Sequence, residues 1–521
     1  MLLTRYRFRW VSCQFDILKQ CYSPSEVDSA LETLPRTLDD TYARILSGIP
    51  RNHQPYARRL LQFLSFSERP LRIEEAVDAI AVNLEEAPGF NPAKRMPVPA
   101  EITQYCSSLT ILANVPNRQG GTVTEVQLAH FSVKEYLTSD RLDKDLARDM
   151  KDTAARTAIA KVCLTYLLSI KSDSLDQVLQ KFPLAHYSAR YWMSHAVAKK
   201  ESRQALVTTM MQLFTSKNTY HLYYQLLYPA IRWQYPEERL VPEPLYHASQ
   251  GGLVECVQIL LNKGAYVNAL NGDFGNALQE ASYNGHKKIV EILLDKEANV
   301  NAQSGYHGNA LQAASYNGHK EIVETLLDKG ADVNAQGGHF GNALQATSCS
   351  GHKEIVETLL DKGADVNVQG GHFGNALQAA SFGGYEEIIE TLLNKGADVN
   401  VQGGYLGNAL QAASFGGYKE IIETLLNKGA DVNVQGGYFG NALQAASFGG
   451  YKEIVETLLN KGADVNAQSG YYGNALQAAS YNEQRKIVET LLNKGANINA
   501  QGGRHGNAFQ GARFKIKKGS Y

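Results

Sequence analysis

The chain has 521 residues, a formal charge of −1 and 44% hydrophobic residues. No positive excess advertises nucleic acid or an anionic membrane surface as partner, and no apolar run approaches the ~18 residues that cross a bilayer. The cysteines (Cys13, Cys21, Cys106, Cys163, Cys256, Cys349) are scattered and form no C-x-x-C pair, so neither a zinc site nor a disulfide framework is indicated and a reducing compartment is expected.

The start, MLLTRYRFRWV, holds Arg5, Arg7 and Arg9 and lacks the apolar core of a signal peptide, so a cytoplasmic or nuclear location is expected. Helix starts follow. Ser23-Pro24-Ser25-Glu26 combines an N-cap, a first-turn Pro and a capping-box Glu. Thr37-Leu38-Asp39-Asp40 caps a second helix, and Leu60, Leu61 and Leu64 stripe a third that begins near Pro55. A further helix is predicted over 71–82, after Pro70, and another element over 102–109 (ITQYCSSL).

Leu109–Leu112 and Val123–Leu128 flank a polar, Gly-containing turn at 117–121, which reads as a β-hairpin. Three helices and a hairpin are the parts of a winged helix. The 102–109 element, its recognition helix, holds no Lys or Arg, so phosphate contact is unsupported. Ser132-Val133-Lys134-Glu135 reads as a capping box, and His130 with Ser132 as a cap and its neighbour rather than a catalytic pair. The pattern is helical over 151–228, with Ile159, Val162, Cys163, Tyr166 and Leu167 on one face. Pro229, Pro236, Pro242 and Pro244 mark a linker.

Beyond it a tetrapeptide, Gly-Asn-Ala-Leu/Phe, recurs with its Asn at 276, 309, 342, 375, 408, 441, 474 and 507, always 33 residues apart. A fixed period of that length marks a solenoid whose units bury their apolar faces only by stacking. In the unit from Asn309, Leu311 and Ala314 share a face of a short first helix, and Gly318 suits a tight turn. Ile322, Val323, Leu326 and Leu327 stripe a second helix, Gly330 a left-handed cap, and Asp332, Asn334, Gly337 and Gly338 a finger turn. Glu297 and Glu483 replace such glycines in the second and eighth units. A divergent unit opens near Glu243 with Pro244, Leu245, His247 and Ala248, giving eight full units over 243–506 and a truncated ninth with a basic tail (Arg513, Lys515, Lys517, Lys518).

This unit resembles the ankyrin repeat. Asn-Ala-Leu-Gln-x-Ala stands where that family has Thr-Pro-Leu-His-x-Ala, and Lys-Gly-Ala-Asp-Val-Asn matches directly at 329–334. Gln in place of His removes a side chain that tightens the finger, although an amide can both donate and accept there. The phrases FRWVSCQFDIL (8–18), LPRTLDDTYARIL (34–46), FSERPLRIEEAVDAIAV (66–82) and AHFSVKEYL (129–137) resemble the region after the nucleotide-binding module in fungal NACHT–ankyrin proteins, which are NLR-like signalling switches of the STAND kind. That region is the winged-helix domain related to one in GPI inositol-deacylases. The resemblance implies a mainly α chain: a helical remnant (1–50), a winged helix (51–142), a helical region (143–235), a linker (236–242) and an ankyrin-repeat α-solenoid (243–521).

Neither a Gly-Lys dipeptide nor a G-x-S-x-G elbow occurs, so no phosphate-cradling loop or lipase-type nucleophile is expected. The chain reads as coupling and sensing parts without the NTPase motor. No catalytic residue, cofactor or metal is expected; equivalent histidines (His286, His319, His352; His339, His372) would sit one helix spacing, ~8–10 Å, apart. What varies between units is the pair before each Gly-Asn: Tyr306-His307, His339-Phe340, His372-Phe373, Tyr405-Leu406, Tyr438-Phe439, Tyr471-Tyr472 and Arg504-His505. Two readings stand. The pairs meet a protein or peptide partner along the finger edge, or they pack on the next finger as a structural ladder; a mixture leaves stacked rings with one side open. A second row, Tyr283, Tyr316, Cys349, Phe382, Phe415, Phe448 and Tyr481, reads as inter-helix core. The expected function is a non-enzymatic interaction or ligand-sensing protein with a NACHT-containing signalling partner. The alternative is the regulatory portion of a NACHT NTPase whose catalytic domain lies upstream.

Overall fold

The structure is a computed structural model that describes residues 11, 14, 21, 23–117, 120–171, 174–196, 200–228, 241–270, 275–504 and 506–510. It divides into two compact units, Met1–Pro244 and Leu245–Tyr521. The Arg-rich start, most of the 8–18 phrase, residues 229–240 with most of the 236–242 linker, His505 and the basic tail lie outside the described residues.

In the first unit, α1 (Pro24–Glu32) and α2 (Leu38–Ser47) begin at the expected caps. Ser23 Oγ accepts the Glu26 N–H at 3.3 Å while the Glu26 carboxylate accepts the Ser23 N–H at 3.2 Å, and Thr37 Oγ1 accepts the Asp40 N–H at 3.0 Å. α3 (Gln54–Phe66) buries Leu60 and Leu61 and half-buries Leu64. Three expectations then change. Leu71–Arg72 form a short strand, β1, ahead of α4 (Ile73–Ala81), because Leu71 pairs with Val126. The 102–109 element is a 3₁₀ turn (Pro99–Cys106) held by i→i+3 bonds such as Glu101 N–H to Val98 O, so no α-helix occupies the recognition position.

β2 (Thr110–Pro116) and β3 (Thr122–Leu128) form the hairpin, in an antiparallel sheet of order β1-β3-β2 with Leu71 and Leu112 flanking the buried Val126. The third change is at α5 (Phe131–Leu137), whose cap is His130: its Nδ1 accepts the Ser132 N–H at 3.2 Å, which leaves Ser132 inside the helix. Next come α6 (Lys144–Met150), α7 (Asp152–Ser169), α8 (Leu175–Lys181), α9 (Ala185–Ala196), α10 (Lys200–Thr215) and α11 (Lys217–Leu227). α7 buries Ile159, Val162, Cys163, Tyr166 and Leu167. The buried Asp78 of α4 accepts from Arg95 Nε and from Tyr166 Oη, each at 2.5 Å. A carboxylate in the core is tolerable only with such partners.

The second unit repeats one design. Asn309 caps the first helix (Ala310–Tyr316), and Gly318 at φ +78° turns the chain into the second (Lys320–Asp328). Ala310, Leu311, Ala313 and Ala314 are buried, with Ile322, Val323 and Leu326 beneath them, while Leu327 is half-buried. Gly330 leads out of the second helix at φ +87°. Glu297 and Glu483, which replace such glycines, are the non-glycine residues with positive φ among those described, at +64° and +60°.

The amide that replaces the motif His tightens the finger by itself. Gln312 Oε1 accepts the Asn309 N–H at 2.9 Å, and its Nε2 donates to Ala335 O at 3.2 Å and Gly341 O at 2.9 Å in the next finger. Gln345, Gln378, Gln411, Gln444 and Gln477 make the same forward bonds. Asn334 staples its unit to the next, donating to Gly363 O at 3.1 Å and accepting the Asp365 N–H at 2.8 Å. On the far side, exposed ion pairs such as Lys320–Glu354 (2.8 Å) and Lys353–Glu387 (2.9 Å) join successive second helices. Pairs so exposed add little stability.

Candidate functional site

The finger turn brings successive units closer than helix packing alone would. The His339 N–H donates to Tyr306 O at 2.9 Å, His372 to His339, Tyr405 to His372, Tyr438 to Tyr405, Tyr471 to Tyr438 and Arg504 to Tyr471, all at 2.8–2.9 Å. Glycine makes this approach feasible: a Cβ on Gly338 would stand 2.5 Å from Gly308 N, and Gly338 sits at φ +62°. Equivalent residues here therefore lie nearer than the ~8–10 Å that helix spacing implied.

The varying pair falls in a tight turn closed by bridges such as Gly337–Gly341, and the turn sends its two side chains to different surroundings. The pairs split accordingly. The first members stack into one ladder: centroids are 4.8 Å apart for Tyr306–His339, 4.9 Å for His339–His372, 5.2 Å for His372–Tyr405, and 4.8 Å for both Tyr405–Tyr438 and Tyr438–Tyr471. Planes lie within 21° of parallel, and the Arg504 guanidinium covers Tyr471 at 5.5 Å. This row keeps one side open, with Tyr306, His372 and Tyr405 exposed and His339, Tyr438 and Tyr471 half-exposed.

The second members turn inward. Phe340, Phe373, Leu406, Phe439 and Tyr472 are buried, against the expectation that both members face a partner; His307 is half-buried on Tyr283. They fill the space between finger and first helix, over Ala346, Ala379, Ala412, Ala445 and Ala478. The row from the first helix closes over them, Tyr316 lying 4.4 Å from Phe340, Phe415 4.5 Å from Phe439 and Phe448 4.9 Å from Tyr472. Tyr316, Cys349, Phe382, Phe415, Phe448 and Tyr481 are half-buried against that core. The inner rings thus plug the groove between finger and helix, and the outer ladder keeps an open side.

From Tyr306 to Tyr471 the ladder edge is neutral, and Arg504 ends it with a cation. No Asp, Glu, Lys or Arg occurs in the finger segments 301–309, 334–342, 367–375, 400–408, 433–441 or 466–474. Burial, then the neighbouring His372, lowers the His339 pKa, and burial raises the Tyr405 phenol, so both favour their uncharged forms. Exposed Gln336, Gln369, Gln402, Gln435 and Gln468 line the same edge and offer amide donors and acceptors.

Other constellations offer less. His130 Nδ1 lies 2.6 Å from Ser132 Oγ, but that hydroxyl also bonds Tyr42 Oη at 2.8 Å and is 3% exposed, out of reach of a substrate. A cleft of about 620 Å³ in the first unit is lined by Ala43, Leu46, Ala57 and Tyr136. Of its cations, Arg58 and Arg141 are already paired with Asp149 and Asp39, and Arg44 donates to Thr33 O at 2.8 Å. His286, His319 and His352 each engage a carbonyl of the preceding unit through Nε2, at 3.0–3.1 Å. Among the described residues no three His, Cys, Asp or Glu side chains converge as a metal site would need, and no helix is long and apolar enough to cross a membrane.

Two family models match the chain, one in the first unit and one mainly in the second. A family model for the GPI inositol-deacylase winged-helix domain matches residues 42–149. A curated relative from Monascus ruber, the azaphilone pigments biosynthesis cluster protein L, is 37% identical over 278 residues, 49% of this chain and 58% of its own length. The chain thus spans little more than half of that relative. The crystal structure of the human ASB11 ankyrin repeat domain matches at 25% identity and a TM-score of 0.38, covering 43% of this chain and 99% of that one. The model for ankyrin repeats (3 copies) matches in overlapping windows from residue 225 to residue 502, more than half of the sequence, and the chain accordingly belongs to the ankyrin-repeat family.

Proposed function

We propose that the chain is a non-enzymatic interaction protein that holds a protein or peptide partner along its outer ring ladder. Ankyrin repeats as a class support a protein-interaction role. The observation that carries the finer reading is the split of the pairs: the inner ring is committed to the core, while Tyr306, His372 and Tyr405 remain exposed in a continuous row. Aromatic side chains held by their neighbours lose little further rotamer freedom on binding, which favours them as contact residues. A neutral edge selects an uncharged stretch of partner, since a charge desolvated there finds no counter-ion.

The Met1–Pro244 unit, whose winged helix matches the GPI inositol-deacylase type, would dock to a NACHT-containing partner in NLR-like signalling, in the cytoplasm or nucleus. The test is capture from cell extract by the full chain and by a variant carrying Tyr405→Ser, Tyr438→Ser and Tyr471→Ser. Proteins retained by the former and lost by the latter, at unchanged far-UV circular dichroism, support the reading. An identical captured set rejects the ladder as the site.

A further inference from the structure

The winged-helix hairpin ends on an open edge. β2 pairs with β3 on one side, and none of the described residues pairs with it on the other. Two bonds fix which backbone groups point where: the Ala129 N–H donates to Leu109 O at 2.9 Å, and the Asn117 N–H to Gly121 O at 2.7 Å. In an antiparallel ladder hydrogen-bonded and non-bonded pairs alternate. Ile111, Ala113 and Val115 therefore turn their polar groups to β3, while Thr110, Leu112 and Asn114, with the Pro116 carbonyl, turn theirs outward. No backbone bond is made by the outward N–H groups of Leu112 and Asn114.

The strand, TILANVP, has no charged residue, and Ile111 and Leu112 are 44% and 37% exposed on opposite faces. Natural edges are usually guarded by charge, bulges or shortness; here only Pro116 interrupts the tip. We propose that this edge pairs with itself: two copies of the chain join their β2 strands antiparallel about Ala113, merging two sheets into one.

The match is in the sequence of the strand. Pairing about Ala113 sets Leu112 against Asn114 and Thr110 against Pro116 in the bonded positions, for roughly six backbone hydrogen bonds. Pro116, without an N–H, falls at the outermost position, where its missing donor costs least. On one face Ile111 meets Val115 of the partner subunit, a β-branched pair, and Ala113 meets its own copy where Cα atoms approach to ~4.5 Å. No like charges oppose. The nearest acid, Glu125, lies on β3 beside Ala113, so the two copies of it would stand about three strand spacings, ~14 Å, apart, beyond the screening length. A single strand edge is small as interfaces go, so the dimer is weak and concentration-dependent.

Sedimentation velocity of the full chain from about 1 to about 100 μM tests this, in the range where a small interface dissociates. The wild type should shift from monomer to dimer. Asn114→Pro deletes an outward N–H and leaves the β2–β3 backbone bonds intact, as edge strands permit, removing from that pairing only the exposed Thr124 Oγ1 to Asn114 Oδ1 bond; it should weaken association at least tenfold. Ala113→Lys sets two cations opposite each other across the dimer but beside Glu125 of their own sheet, and should do the same at unchanged melting temperature. Ala113→Cys should form a disulfide-linked dimer under mild oxidation, and Thr122→Cys at the far end of β3 should not. A chain that stays monomeric throughout, or a dimer indifferent to both Asn114→Pro and Ala113→Lys, overturns the proposal. Neither result bears on the ring ladder, which lies in the other unit.

Discussion

The Met1–Pro244 unit holds its core with contacts that occur once, whereas the repeat unit uses contacts that recur every 33 residues. Asp78 with Arg95 and Tyr166 is a single knot: removing any member strands a buried group with no second copy to share the load. The Gln bonds, Asn staples and inner rings recur in unit after unit, so one defect is local and its neighbours persist. That explains how the array carries Glu297 and Glu483 at positive φ. It also frees the outer ring to vary, because stability does not depend on any one of its residues.

The sharpest way to break this comparison is to cut each member of one pair. Phe439→Ala empties a buried ring and should cost about 3–5 kcal/mol, read as a lower urea midpoint in circular dichroism. Tyr438→Ala, beside it but half-exposed, should cost about 1 kcal/mol or less. Equal losses would mean that inner and outer rows do not differ in role.

Glycine gives a second contrast. Gly371 and Gly363 both have positive φ, +62° and +92°, but a Cβ on Gly371 would meet Phe340 C at 2.4 Å while one on Gly363 meets nothing within 4 Å. Gly371→Ala should cost about 3 kcal/mol, from backbone strain plus collision, and Gly363→Ala about 1 kcal/mol from strain alone. Hydrogen exchange should report the first as opening of adjacent fingers. Matching values would show that finger contact is not what holds the ladder.

Acid should weaken both units, since burial also pushes the His247 pKa of the repeat unit down, to about 3, but the first unit can be followed by itself. Burial pushes the His195 pKa down to about 4, and its Nε2 lies 3.0 Å from Tyr187 Oη. The unfolded chain takes up this proton first, near pH 6.5, so the stability contribution is complete above that pH. It declines as pH falls toward 4. At pH 5 the loss is about 2 kcal/mol, at ~1.4 kcal/mol per unit. All three tryptophans (Trp10, Trp192, Trp233) belong to the first unit, so their fluorescence reports it separately. His195→Asn should flatten the slope; an unchanged slope assigns the acid sensitivity elsewhere.

The helices, caps and period were legible because they rest on local chemistry. Ser23, Thr37 and Asn309 cap where their side chains must. The β1 strand at Leu71 was not, since only its distant pairing with Val126 makes it extended. Ser132 and His130 compete for one cap, and the contact with Tyr42 that settles it spans 90 residues. The inward turn of Phe340 and its equivalents had a signal: Phe340, Phe373, Leu406 and Phe439 are wholly apolar, whereas each first member of a pair (Tyr, His or Arg) carries a polar atom. The finger spacing had one too, in the paired glycines of Gln-Gly-Gly, whose second member meets the preceding backbone.

Radical footprinting of ring positions on the full chain, with and without a captured partner, addresses the central claim most directly. Tyr306, Tyr405, Tyr438 and Tyr471 should lose labelling on binding while Tyr451, exposed at the start of a second helix, should not. Protection of Tyr451 with an unchanged ladder would contradict that claim.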